Sequence, residues 1–207
     1  MANNESDGSI IRHPLGMPPG SVRGVLSLLI VIQFWLLLML PDHRKVPIPI
    51  NLYLLLSLVS LFFISHGKTI ARISDPTPSP LYLPGGTLRL IIFGGTAALV
   101  GYLYFNHPER LMDRLQPDAS QLANWPYLIG AYVGGFSLGW IFRHMPFRDY
   151  WVFQSFMAWL SMIATALLFI EIILRAFILG SLKEQLDLKV WESIVTGITA
   201  CYFGTRS

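Results

Sequence analysis

Six times along the chain charged residues give way to an uncharged, largely apolar window: 24–40, 46–65, 90–106, 125–142, 150–170 and 193–205. A helix rises ~1.5 Å per residue, and a hydrocarbon core of ~30 Å takes roughly 20 residues. The first five windows, 17 to 21 residues long, predict spanning helices. The sixth, at 13 residues, is short. In it Trp191, Ile194, Val195, Ile198 and Tyr202 fall on one helical face. Ser193, Thr196, Gly197, Thr199 and Ala200 fall on the other. A helix lying on a membrane would carry Lys and Glu on that second face, whereas small residues suit a span packed on neighbours. The expected fold is all-α: a polytopic transmembrane helix bundle of six spans, five full and one short. The spans fall at about 22–40, 47–65, 87–105, 125–142, 150–172 and 190–204, within one membrane domain over 17–207. A polar tail covers 1–16.

The flanks sharpen these boundaries. Ser21 is a good N-cap for span one, and Pro41 ends that span. Pro47 and Pro49 suit the start of span two, whose leucines Leu52, Leu54, Leu55, Leu56 and Leu58 are expected to face lipid. Four prolines between residues 74 and 84 favour an extended connector. Trp125, Tyr127, Tyr150, Trp151 and Trp191 stand where spans begin, as interfacial aromatics do. Span five has the apolar length to run on to Gly180.

Met17-Pro18-Pro19-Gly20-Ser21-Val22-Arg23 and Leu83-Pro84-Gly85-Gly86-Thr87-Leu88-Arg89 share one pattern before spans one and three. Each reads apolar-Pro-x-Gly-(Ser or Thr)-apolar-Arg. The match admits a duplicated helical hairpin, and equally a shared helix-start chemistry. The segment from Pro108 to Leu115 interrupts a strict repeat. It places Leu111, Met112 and Leu115 on one face and charges on the other, and predicts a short interfacial helix.

Composition agrees with the pattern: 53% of residues are hydrophobic and 13% charged, about half the charged share of an average soluble domain. The basic residues are scattered rather than clustered with aromatics, so no nucleic-acid partner is expected. The expected partners are the lipid bilayer and another membrane protein or a second copy. Cys201 is the sole cysteine, so neither an internal disulfide nor a cysteine-based metal site can form. Nothing in the sequence implies a cofactor or a metal.

Gly135-Phe136-Ser137-Leu138-Gly139 matches G-x-S-x-G, but it lies in an apolar helix rather than a strand-to-helix turn, and no span contains a histidine to activate Ser137. Helix packing explains the glycines better. Gly130 with Gly134, and Gly135 with Gly139, are spaced four apart in span four, as Gly94 and Ala98 are in span three. Such spacing lets backbones approach, and spans three and four are expected to pair through these residues. Glu171 and Arg175 stand i, i+4 and suit either an interfacial ion pair or an ion-transport role. Gln33 and Gln154 are the other strong polar groups within spans. Arg23 and Arg89 are placed for interfacial lipid contact, by snorkelling or at a helix N-terminus.

Gly20-Ser21-Val22-Arg23 with the ending Tyr202-Phe203-Gly204-Thr205-Arg206-Ser207 resembles small bacterial multi-pass membrane proteins. The resemblance implies a bacterial inner membrane and a true sixth span, and it carries no functional residue over. With no catalytic constellation, the expected function is a non-catalytic subunit or assembly factor of a membrane complex; the alternative is a small-solute or ion transporter or channel. Six spans divide the Lys and Arg residues eight to seven between the two sides. The side of Arg23 and Arg89, tight against their helices, is expected to be cytoplasmic. In intact cells an impermeant maleimide should then leave Cys201 unlabelled until the membrane is permeabilised. Labelling from outside overturns the arrangement.

Overall fold

The computed structural model describes residues 21–40, 48–65, 86–116, 122–145, 151–174 and 189–205. Among them every regular element is a helix: α1 Ser21–Met39, α2 Ile50–Ser65, α3 Thr87–Asn106, α4 Pro108–Leu115, α5 Trp125–His144, α6 Trp151–Ile173 and α7 Lys189–Gly204. The tail at 1–16, the proline-rich connector and the continuation of span five to Gly180 lie outside the described residues. By length and composition α1 and α3 are each long and apolar enough to cross a membrane.

The core forms where α1, α2, α6 and α7 converge. α1 contributes Leu26, Ile30, Phe34, Leu37 and Leu38, all buried at three- and four-residue spacing. α2 adds Leu52, Leu55, Leu58 and Val59; α6 adds Ala164 and Leu168; α7 adds Val195, Tyr202 and Phe203. Three of the leucines expected to face lipid are therefore core residues: Leu52 and Leu55 are fully enclosed and Leu58 nearly so. Leucine suits lipid and a protein interior equally, so leucine content alone does not assign a helix face. On α2 it is Leu61 and Ile64 that point outward.

α3 lies at the edge. Only Leu88, Ile92 and Leu103 are buried on it. Its entry passes through Gly86, whose φ of 91° is a left-handed conformation that glycine adopts without a Cβ penalty. A π-helical turn over Leu90–Gly94 then presents Gly95 and Thr96 to α1. Trp35 Nε1 donates to Thr96 Oγ1 at 3.0 Å, and the Thr96 hydroxyl donates back to Ile92 O at 2.6 Å. A Cβ on Gly95 would fall 2.6 Å from the Trp35 ring.

The tightest pairing is between α5 and α7, and it corrects the expected pairing of spans three and four. A Cβ on Gly135 would lie 3.0 Å from Gly197 Cα; one on Gly139 would lie 2.9 Å from Thr205 N; one on Gly204 would lie 3.1 Å from Trp140 N. These are backbone-on-backbone contacts. Around Gly130 and Gly134 a Cβ would meet nothing within 4 Å, and both are exposed. At Gly94 a Cβ would touch Leu90 of its own helix, and Ala98 is exposed. Adjacent glycines on one helix point about 100° apart, so the overlapping pairs on α5 serve different faces. Contact positions rise together along α5 and α7, so the two helices run parallel.

Directions alternate throughout. Asn51 at the start of α2 meets Glu171 near the end of α6. Phe62 and Phe203, near the ends of α2 and α7, pack together. Arg23 and Arg89, at the starts of α1 and α3, both reach the end of α2. Thus α1, α3 and α6 run one way, and α2, α5 and α7 the other. Gly135→Ala should lower the detergent unfolding midpoint by the equivalent of about 1–3 kcal/mol through overpacking. Gly134→Ala should leave it unchanged or raise it by up to about 1 kcal/mol through helix propensity. Equal effects in a thermal melt would refute the assignment of faces.

Candidate functional site

Polar side chains collect at the end where α1 and α6 finish and α2 and α7 begin. Asn51 stands one residue inside α2, and Glu171 two residues before the end of α6. Both are enclosed, and Asn51 Nδ2 donates to Glu171 Oε1 at 2.9 Å. A hydrogen bond to a carboxylate is charge-assisted and stronger than a neutral one. Glu192, one turn into α7, is buried at the same end. Nothing in the sequence pattern singled out Asn51, because a polar residue at the first turn of a helix reads as an interfacial group. Arg175, offered as the partner of Glu171, lies outside the described residues.

Deeper in the core, Gln33 of α1 is 2% exposed, and neither its Nε2 nor its Oε1 has a hydrogen-bond partner among the described residues. The hydroxyls of Ser27, Thr196 and Thr199 share that condition. An unmet buried polar group costs about 1–3 kcal/mol, so such a set calls for water or a polar ligand. Gln154 lies on α6.

The same end holds a second device, which corrects the amphipathic reading of α4. Leu111 is buried as expected, but Met112 is exposed and Arg114 is enclosed. Arg114 Nη1 donates to Leu37 O at 3.0 Å, and its Nη2 to Leu40 O at 2.9 Å. Arg110 Nη2 adds bonds to Leu40 O and, at 3.3 Å, to Met39 O. The last carbonyls of a helix lack partners within it and carry the negative end of its dipole. Two guanidiniums meet both needs at the end of α1. Tyr53 Oη ties α4 to α2 by donating to Leu115 O at 3.0 Å. α4 is therefore a clasp across the ends of α1 and α2.

Ser137 is exposed on α5. His144, two turns further along the same helix, has Nδ1 at 2.9 Å from Trp140 O and its ring against the Trp140 indole. The two do not form a nucleophile–base pair. Among the described residues no group of three His, Cys, Asp or Glu side chains could hold a metal ion. Near the starts of α5 and α7, Lys189 Nζ sits 3.8 Å from the Tyr127 ring centroid, beside an open apolar groove that also takes in Val190, Ser193 and Ile194. Comparison with protein-family models, curated proteins and solved structures finds no match for the chain.

Asn51→Leu removes one donor to an enclosed carboxylate and should destabilise the protein by about 1.5–3 kcal/mol in a thermal melt. Glu171→Gln in that background should recover part of the loss, because the uncharged amide is cheaper to enclose. Additive penalties would show that the Asn51–Glu171 bond contributes nothing.

Proposed function

We propose that the chain is a six-span protein of a bacterial inner membrane, its N-terminus cytoplasmic, that acts without catalysis as a subunit or assembly factor of a membrane complex. The carrying observation is the apolar surface that remains after the internal contacts are made. Only 11% of the apolar window of α3 is buried, and Leu90, Tyr102, Tyr104 and Phe105 point outward. α5 likewise turns Val133, Leu138, Trp140 and Ile141 outward beside the unused Gly130 and Gly134. Such surface suits lipid along most of its extent and a partner helix where the residues are small. The alternating directions of the six long helices support six crossings, α7 included.

A transporter or channel is the second reading. The enclosed Asn51–Glu171 pair favours it, together with the unmet polar atoms of Gln33, Ser27, Thr196 and Thr199, because buried ionisable groups in spans mark ion paths. Purification in mild detergent decides between the two. The expected result is a second membrane protein in fixed stoichiometry. A monodisperse homo-oligomer that moves a solute into liposomes, with uptake abolished by Glu171→Gln, would replace the first reading with the second.

A further inference from the structure

The helical hydroxyls fall into two groups. Ser57, Thr96, Ser193 and Thr205 each donate to a main-chain carbonyl three or four residues back, at 2.6–2.9 Å. A serine or threonine inside a helix commonly satisfies itself in this way. Ser27 on α1 and Thr196 and Thr199 on α7 do not. Their hydroxyls are enclosed and have no hydrogen-bond partner among the described residues. The Gln33 amide, which carries two N–H donors and a carbonyl acceptor, is in the same state.

The packing brings these residues to one region. α2 and α6 each pack on both α1 and α7, so the four helices form a ring in which α1 and α7 face each other. The Asn51–Glu171 bond spans the other diagonal, from α2 to α6, near one end. Arg23 and Phe203 mark a common level at the opposite end, since both contact the Phe62 ring. Ser27 is four residues after Arg23 on α1, and Thr199 is four before Phe203 on the antiparallel α7. Each therefore stands about 6 Å further in. Gln33 and Thr196 follow on the same two helices, in the direction of Glu171. The faces agree as well. Thr199 is four residues from Val195 and four from Phe203, and Gln33 is three from Ile30 and four from Leu37, all core residues.

Polar groups enclosed without partners weaken a fold, and each gains by acquiring one. All four side chains here are neutral, so they offer no counter-charge to an enclosed ion. Water is small, neutral and both donor and acceptor, and buried water settles against polar atoms of this kind. We propose that ordered water molecules occupy the centre of the ring of α1, α2, α6 and α7, held by Ser27, Gln33, Thr196 and Thr199. The polar groups stand at successive levels, so the site is a short column of waters rather than a single one. It rests on the fold alone and requires neither a partner complex nor movement of a solute.

X-ray radiolysis of the detergent-purified chain tests the site, because hydroxyl radicals made from bound water oxidise the side chains beside it. Ile30, Leu37 and Val195 are enclosed and lie three or four residues from Gln33 or Thr199; Leu128 is as fully enclosed, on α5 outside the ring. After correction for intrinsic reactivity, the first three should oxidise several-fold faster than Leu128. Rates equal to that of Leu128 overturn the site, and this measurement needs no variant. Gln33→Leu and Thr199→Val give a second readout. If the groups were dry, removing an unmet polar atom would raise the unfolding midpoint. With water bound, each variant strands a water, and should lower the midpoint and slow the oxidation of Leu37 and Val195 respectively. Circular dichroism checks that both variants are folded, and a raised midpoint in either overturns the site. Solute uptake into liposomes is a separate measurement: absent uptake with fast oxidation sinks the transport reading and leaves the water site standing.

Discussion

The contact between α5 and α7 sets the geometry of the bundle. Gly135, Gly139 and Gly204 remove the side chains that would hold the two backbones apart. In the proposed membrane setting burial of hydrocarbon would gain little, and close packing would supply the attraction between helices. The pairing also explains the two faces of α7. Its small face lies on α5, while Val195, Tyr202 and Phe203 enter the core. A helix of 16 residues is thereby held on both sides. Bulk at any of these positions would push α7 off α5 and disturb the seating of Phe203 on Phe62.

Polar groups do the complementary work at the other end. The carbonyls at the end of α1 are an open row of acceptors, and Arg110 and Arg114 close it. Because both arginines come from α4, the contact also fixes the link between α3 and α5 across the top of the core. Asn51 and Glu171 join α2 to α6 nearby. Apolar packing alone is tolerant of sliding, since one leucine serves much like another along a helix. Directional bonds at Leu37, Leu40 and Glu171 select one vertical register.

How much of this was legible in the sequence follows from which signals are local. Helix existence was, because a window without charge reports on each helix by itself. The parallel course of α1 and α3 agrees with the similar sequences that precede them. The pairing of α5 was not: Gly130–Gly134 and Gly135–Gly139 are equivalent in sequence, and only the position of α7 chooses between them. Arg114 was missed because a cation in an amphipathic octapeptide normally faces water. Here the carbonyls of α1 outbid water, and that condition is tertiary. Asn51 was hidden likewise, since its partner is 120 residues away. The buried Leu52 and Leu55 mark the remaining limit: hydropathy separates apolar from polar, whereas the fold separates apolar residues inside it from apolar residues on its surface.

The two ends of the bundle use the same residue type in opposite ways. Arg110 and Arg114 direct their N–H donors inward, to main-chain acceptors, and serve as internal caps. Arg23 and Arg89 stand over the faces of Phe62 and Phe63 at the end of α2. A count of eight basic residues against seven treats these groups alike and separates the sides barely at all. Their contacts do separate these four: Arg110 and Arg114 are bonded to the end of α1, whereas Arg23 and Arg89 stand over aromatic rings at the end of α2. In the proposed membrane arrangement Arg23 and Arg89 belong at the cytoplasmic side, because basic residues tight against the ends of spanning helices favour that side.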